Sequence, residues 1–400
     1  MMTQRSPVPR LRDYQGPAIL SYGFRPFFLL GAVYAGLAIL VWLPVFLGEL
    51  TLWTAFVPRD WHVHEMLYGY LPAVITGFLF TAIPSWTGRL PVQGRPLLVL
   101  VVVWLLGRFS VTCSAGIGWL AAMLIDASFL ALIAAATGRE VFAGRNWRNL
   151  KVVVLVVLLL IGNIAFHLEA HVSGAADYGI RVGIAVVVLL IMLIGGRIIP
   201  SFTRNWLVRE NPGRLPSPFA KFDTAVVIFS AVTLLMWVVH RDGRLAGALL
   251  AAAGILHVIR LGRWAGDRTF KERLVLILHV GYAFIPAGFL LASAAAFDLF
   301  PASAAIHAWM AGGAGVMTLA VMTRASLGHT GQQLMASWST QGIYLAVIIA
   351  ALARIAAVMV PVWSGALLDI AALAWVIAFL GFAVFYGPSL MRPRAASHRD

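Results

Sequence analysis

Cysteine is nearly missing: the 400-residue chain has one, Cys113. A single thiol excludes an intrachain disulfide, an all-thiolate iron–sulfur centre and a covalently attached Cys-x-x-Cys-His haem. Charge is scarce as well, at 12% of residues against 61% hydrophobic, and mean hydropathy is +0.88. A water-soluble fold of that composition would expose too much apolar surface, so most of the chain must face lipid. The alternating segments of about ten residues that build a membrane β-barrel are lacking, and the apolar runs are continuous. Acidic residues are the rarest charges, 16 against 30 Lys and Arg, for a formal charge of +14. The excess does not point to nucleic acid, because the basic residues lie mainly in short loops, where they set membrane orientation. The first 26 residues are basic, polar and Pro-containing, and no secretory signal is expected before the first apolar run.

What is present is a series of apolar runs. At about 20 residues per crossing, roughly a dozen helices fit, so the expected fold is an all-α polytopic bundle. The spans are expected at 27–47, 64–84, 96–110, 117–137, 149–168, 178–199, 223–239, 244–259, 274–296, 302–323, 339–360 and 363–386. The longest connection, 200–222, is rich in Pro and carries Arg204, Arg209, Arg214 and Lys221. It divides one membrane domain, 27–387, into two sets of six helices, flanked by an N-terminal segment, 1–26, and a tail, 388–400. Basic residues concentrate in both tails and in the loops after even-numbered spans. The opposite loops hold few: Arg59, Arg181, Arg241 and Arg244. By the positive-inside rule both termini are cytoplasmic.

Against this background the stretch Asp60-Trp61-His62-Val63-His64-Glu65-Met66-Leu67-Tyr68-Gly69 stands out, at the outer mouth of the second span. Polar side chains at a membrane boundary are costly to bury and default to a functional reading. If the motif is helical, His62 and His64 point about 200° apart and serve different centres or interfaces. If it is a turn, both can converge on one ion. A Trp-His pair that only anchors the helix in the interface is the structural alternative. Glu65 is the candidate proton-handling group.

The other histidines fall into two layers. His167, His171, His240 and His307 join the outer one, and His257, His279 and His329 lie towards the inner side. His167 and His171, four apart, share a helix face, which suits either one metal or a solvated helix end. His257 and His279, on adjacent antiparallel helices at similar depth, suit either a bridging haem or two hydrogen-bonded core positions. His307 and His329 flank one helix about six turns apart, so they cannot share a site from it. Gly312-Gly313-Ala314-Gly315 between them allows close approach of a helix or a flat macrocycle. Arg25, Arg89, Arg197, Arg260 and Arg324 stand at inner boundaries, as anchors or as partners for haem propionates. Asp126 and Asp369 lie within apolar runs. The metal candidates are therefore His62, His64, His257, His279, His307 and His329.

Several of these pieces together resemble the NnrS family of bacterial membrane proteins. They are Gly23-Phe24-Arg25-Pro26-Phe27-Phe28, Trp61-His62-Val63-His64-Glu65-Met66 and the run from Gly77 to Gly88. Gly196-Arg197-Ile198-Ile199-Pro200-Ser201-Phe202-Thr203 and the run from Met322 to Gly331 complete them. The resemblance implies a twelve-span inner-membrane protein carrying haem and copper and tied to nitric oxide metabolism or nitrosative-stress defence. With one cysteine, the haem is expected to be b-type. The leading expectation is reduction of nitric oxide to nitrous oxide, fed by a quinol or a redox protein. A haem-based nitric oxide binder without turnover and a six-plus-six transporter are the competing readings. The His-Pro-Glu segment and adjacent His-His pair of the haem–copper oxidases are missing, so likeness to them is analogy only.

Overall fold

The computed structural model describes residues 14–88 and 90–394, and among them it is helical, with no strand. Arg89 and His398 lie outside the described residues. Twelve helices are long and apolar enough to cross a membrane. They are α1 (Phe24–Phe46), α2 (Pro58–Ser85), α3 (Arg95–Thr112), α4 (Trp119–Ala143), α5 (Trp147–Ser173) and α6 (Tyr178–Glu210). The second half supplies α7 (Lys221–Val239), α8 (Arg244–Arg268), α9 (Arg273–Ala296), α10 (Ala302–Thr330), α11 (Trp338–Met359) and α12 (Pro361–Met391). Only helices satisfy every backbone group within one lipid-embedded segment, which is why continuous apolar runs take this form.

Successive helices pack side by side, and α12 closes the ring against α1, where the Trp375 indole N–H donates to Ala35 O at 3.1 Å. Inside the ring, α6 meets α2, α9 and α10. Tyr70 of α2 reaches Thr318 of α10, with 2.5 Å between the hydroxyls. Helices α2, α6, α9 and α10 bury 61–72% of their apolar windows, against 33% for α12, so they form the interior. Packing thus crosses the 200–222 connection. That connection is also shorter than expected, because α6 runs through Pro200 to Glu210. Proline costs a helix one N–H bond, and the buried Pro200 is tolerated here inside a 33-residue helix.

Two helices carry a widened π-type turn, Glu65–Tyr70 in α2 and Ala308–Gly315 in α10. Each begins directly after a histidine, His64 and His307. Such turns shift the face that a helix presents and recur at functional sites. The start of α2 settles the conformation of the motif. Pro58 occupies the first turn, and buried Asp60 accepts the backbone N–H of Ala176 at 2.9 Å, so Trp61 to His64 is already helical.

Candidate metal centre and ligand chamber

Being helical, the motif points its two histidines to different places. His64 is fully buried and faces α4 and α5, whereas His62 stacks on Trp42 of α1, with ring centroids 4.2 Å apart. The two imidazoles belong to two sites.

The first site is a buried polar cluster drawn from five helices. His64 Nδ1 lies 2.9 Å from Glu65 Oε1, and its Nε2 lies 3.0 Å from Asn163 Oδ1 and 3.2 Å from Asp126 Oδ2. His167 Nε2 sits 3.2 Å from the same Asp126 oxygen, to which Asn163 also donates at 2.7 Å. Arg108 binds both Glu65 oxygens at 2.7 Å with one amino group and donates to Asp126 with the other. Tyr34 donates to Glu65. Small residues leave the room: a Cβ on Gly69 would lie 2.3 Å from Arg108 Nη1, and one on Gly107 3.1 Å from Asp126 Oδ1.

Glu65 and Asp126 against Arg108 leave one negative charge in a region that excludes water. Buried charge of this kind must be balanced, here by a cation or by an imidazolium. His64, Asp126 and His167 each offer a donor atom, all within 4.8 Å of one another, and are the one such group among the described residues. Two imidazoles and a carboxylate suit copper, zinc or ferrous iron. Glu65 holds the far nitrogen of His64, the outer-shell arrangement that fixes a ligating imidazole. The donor set therefore fits a transition metal. Glu65 itself is locked by Arg108, Tyr34 and His64.

The second site is a mainly apolar chamber of about 400 Å³ between α1, α2, α6, α10, α11 and α12. That lies within the range of about 300–1000 Å³ typical of cofactor and small-molecule sites. His62 and His307 both line it. His307 Nδ1 donates to Ser303 O at 2.6 Å, which leaves Nε2 as the acceptor, and neither nitrogen of His62 is hydrogen-bonded among the described residues. Arg354 also lines the chamber and has no hydrogen bond or ion pair among the described residues. Arg59, Arg181, Arg241 and Asp177 line it as well. Two available imidazoles over apolar walls, with an unpaired guanidinium, fit a flat metal-bearing ligand carrying carboxylates.

One family profile, NnrS protein, matches residues 18–394. The chain belongs to the NnrS family. Members of the NnrS family are linked to the response to nitric oxide and known as metal-binding. No curated protein and no solved structure matches the chain.

The remaining expectations are placed as follows. His257 uses both nitrogens, Nε2 with Ser230 Oγ at 3.0 Å and Nδ1 with the Tyr282 hydroxyl at 2.9 Å. His279 Nε2 pairs with Thr203 Oγ1 at 2.9 Å, and its buried Nδ1 has no partner. His329 packs against the rings of Tyr22 and Phe24. His171 stacks on Trp119 at 4.1 Å, away from His167. Arg25 donates to Leu390 O at 2.8 Å and Arg392 O at 2.6 Å and so ties α1 to the end of α12. Arg324 lies over Phe202, and Arg197 is half-buried on α6. The glycines of α10 take in protein: a Cβ on Gly312 would lie 2.2 Å from Phe284, and one on Gly315 2.8 Å from Trp375. Arg108, Asn163, Tyr34 and Arg354 were not singled out from sequence. The signal was there for Arg108, Asn163 and Arg354, each a lone polar residue within an apolar run.

Proposed function

We propose that this membrane protein is a haem- and copper-containing protein that acts on nitric oxide, in the bacterial inner membrane. The observation that carries the reading is the division of the motif, with His62 facing a chamber shared with His307 and His64 facing the Asp126–His167 cluster. On this reading His62 and His307 would hold a b-type haem, and Arg354 would be available to its carboxylates. His64, Asp126 and His167 hold copper. Bound there, the metals supply an electron reservoir and a coordination position for nitric oxide.

The chain's own residues shape the site. Ser303 O fixes the tautomer of His307, Trp42 holds the ring plane of His62, and the apolar wall excludes water. Arg108 holds the Glu65 and Asp126 carboxyl groups in place, so that both imidazoles of the cluster meet fixed carboxyl partners. The overall reaction we assign takes two nitric oxide molecules, two electrons and two protons to nitrous oxide and water. Electrons come from a quinol or a redox protein.

A second reading, a nitric oxide binder without turnover, is favoured by one observation. Glu65, the expected proton group, is held by Arg108, Tyr34 and His64 and is not among the residues that line the chamber. Absorption spectra of purified protein, oxidised, reduced and nitric oxide-treated, with metal analysis, test both. Lack of stoichiometric haem refutes both readings. With haem present, anaerobic loss of nitric oxide under reductant supports the enzyme, and its failure leaves the binder.

A further inference from the structure

The cluster of His64, Asp126 and His167 is sealed, with none of the three residues more than 2% exposed. Among the described residues, three Phe or Tyr rings pack on its imidazoles. Phe166 meets His64 at 5.1 Å between centroids and Tyr68 meets it at 5.6 Å, whereas Phe56 meets both His64 and His167, at 5.4 and 5.3 Å. Two of the three are fixed. Phe166 is fully buried within α5, and the buried Tyr68 of α2 donates its hydroxyl to Gly179 O at 2.5 Å. Phe56 differs in both respects: it is partly exposed, and it sits on the connection between α1 and α2, residues 47–57, rather than on a helix.

Small, neutral contacts hold that connection. Thr54 Oγ1 donates to Val111 O at 2.9 Å and lies 3.2 Å from Ser114 Oγ, which accepts the Ala55 N–H at 2.8 Å. The Ala115 N–H donates to Trp53 O at 3.3 Å, and the Trp53 indole covers Gly116 so closely that a Cβ there would clash. All of these join it to the end of α3 and the turn that follows. Among the described residues no ion pair ties 47–57. Near its start Gly48 has a left-handed φ of +79°, and Pro58 closes it as the first residue of α2. Lifting it breaks a few neutral hydrogen bonds, the scale of a local opening. Parting α2, α3 and α4 would instead break the buried pairs of Arg108 with Glu65 and Asp126, the costlier event.

We propose that Phe56 is the gate of the metal centre, and that the 47–57 connection lifts to admit and release the cation at the end of the bundle opposite the C-terminus. The inference rests on the reading that His64, Asp126 and His167 hold a metal, and it adds the route and the side. The side follows from α1: Arg25, at its start, donates to Leu390 O near the end of α12, and Phe56 follows the far end of α1. Whatever supplies the cation therefore meets the protein on the face of Phe56, where no helix has to move. The phenyl ring offers no ligand atom, so it bars the way without competing for the cation.

Copper release to bathocuproine disulfonate, a chelator that does not cross membranes, tests the gate on full-length, copper-loaded protein under ascorbate. F56A should release copper about tenfold faster than wild type, because loss of the ring lowers the cost of local opening. S114A frees Thr54 and Ala55 without touching the ring or the ligands, and should also speed release. W119A removes another aromatic side chain at that end, stacked on His171 rather than on the cluster, and should match wild type. In proteoliposomes sorted by a C-terminal tag, release should occur where the tag faces inward and not where it faces outward. Unchanged rates in F56A and S114A, or equal release in both orientations, overturn the gate. Wild type that holds no more copper than H167A overturns the metal reading and the gate with it, an outcome that no release rate imitates.

Discussion

At the scale of single residues, Arg108 is the centre of one of the molecule's groups of buried charge. Arg108 pairs with Glu65 and Asp126 together, and removing it would leave both carboxylates without their guanidinium away from water. We expect R108L to destabilise the protein by about 3–5 kcal/mol, the usual cost of breaking a buried ion pair. A shift of the thermal unfolding midpoint in detergent measures it, and an unchanged midpoint would refute the role. H167A should lower copper content while leaving the haem spectrum, because His167 touches the cluster and not the chamber. H307A should do the reverse. Loss of both metals in both variants would mean that the two sites are one. Arg108 and Asn163 were visible in the sequence only as isolated polar residues within apolar runs. Their partnership is set by which helix faces meet.

Helices are the scale at which the two π-type turns act. A residue accommodated in a widened turn rotates everything before it relative to everything after it, by about 100° per residue. Deleting Gly313 from Ala308–Gly315 should turn His307 out of the chamber, with haem absorption lost and far-ultraviolet helicity kept. Haem binding that survives the deletion would show that the turn does not aim His307. Gly69 acts within the other turn by leaving room for Arg108. G69A should weaken the copper site, whereas G342A, where a Cβ meets nothing within 4 Å, should bind copper as wild type does. Periodicity and hydropathy place these helices but carry no sign of a π-type turn. The pattern of charges and apolar runs is equally blind to α6 extending past Pro200, since its last turns lie beyond the apolar run.

Taken whole, the twelve-helix bundle has a histidine-rich end and a basic end. Arg145, in a loop, and Arg148, Arg209, Arg263 and Arg273, near helix ends, belong to the basic side, which by the positive-inside rule is the expected cytoplasmic face. A C-terminal green fluorescent protein fusion should therefore fluoresce, and a C-terminal alkaline phosphatase fusion should be inactive. The opposite pair of results would invert the topology and place the chamber on the cytoplasmic side.

By itself the sequence determined the membrane class, the twelve crossings and the family, because hydropathy and motif spacing are local properties of the chain, whereas the divergence of His62 from His64 waited on the helical start of α2. It also brought out His307 and Asp126, as ionisable groups where lipid makes them expensive. Only the tertiary structure decided which of them meet. His167 joins Asp126 and His64, while His257 turns to Ser230 and Tyr282 and the glycines of α10 admit Phe284 and Trp375. Those choices depend on how each helix is rotated against its neighbours. Rotation is set by packing across the whole ring, in contacts between residues as far apart as Ala35 and Trp375.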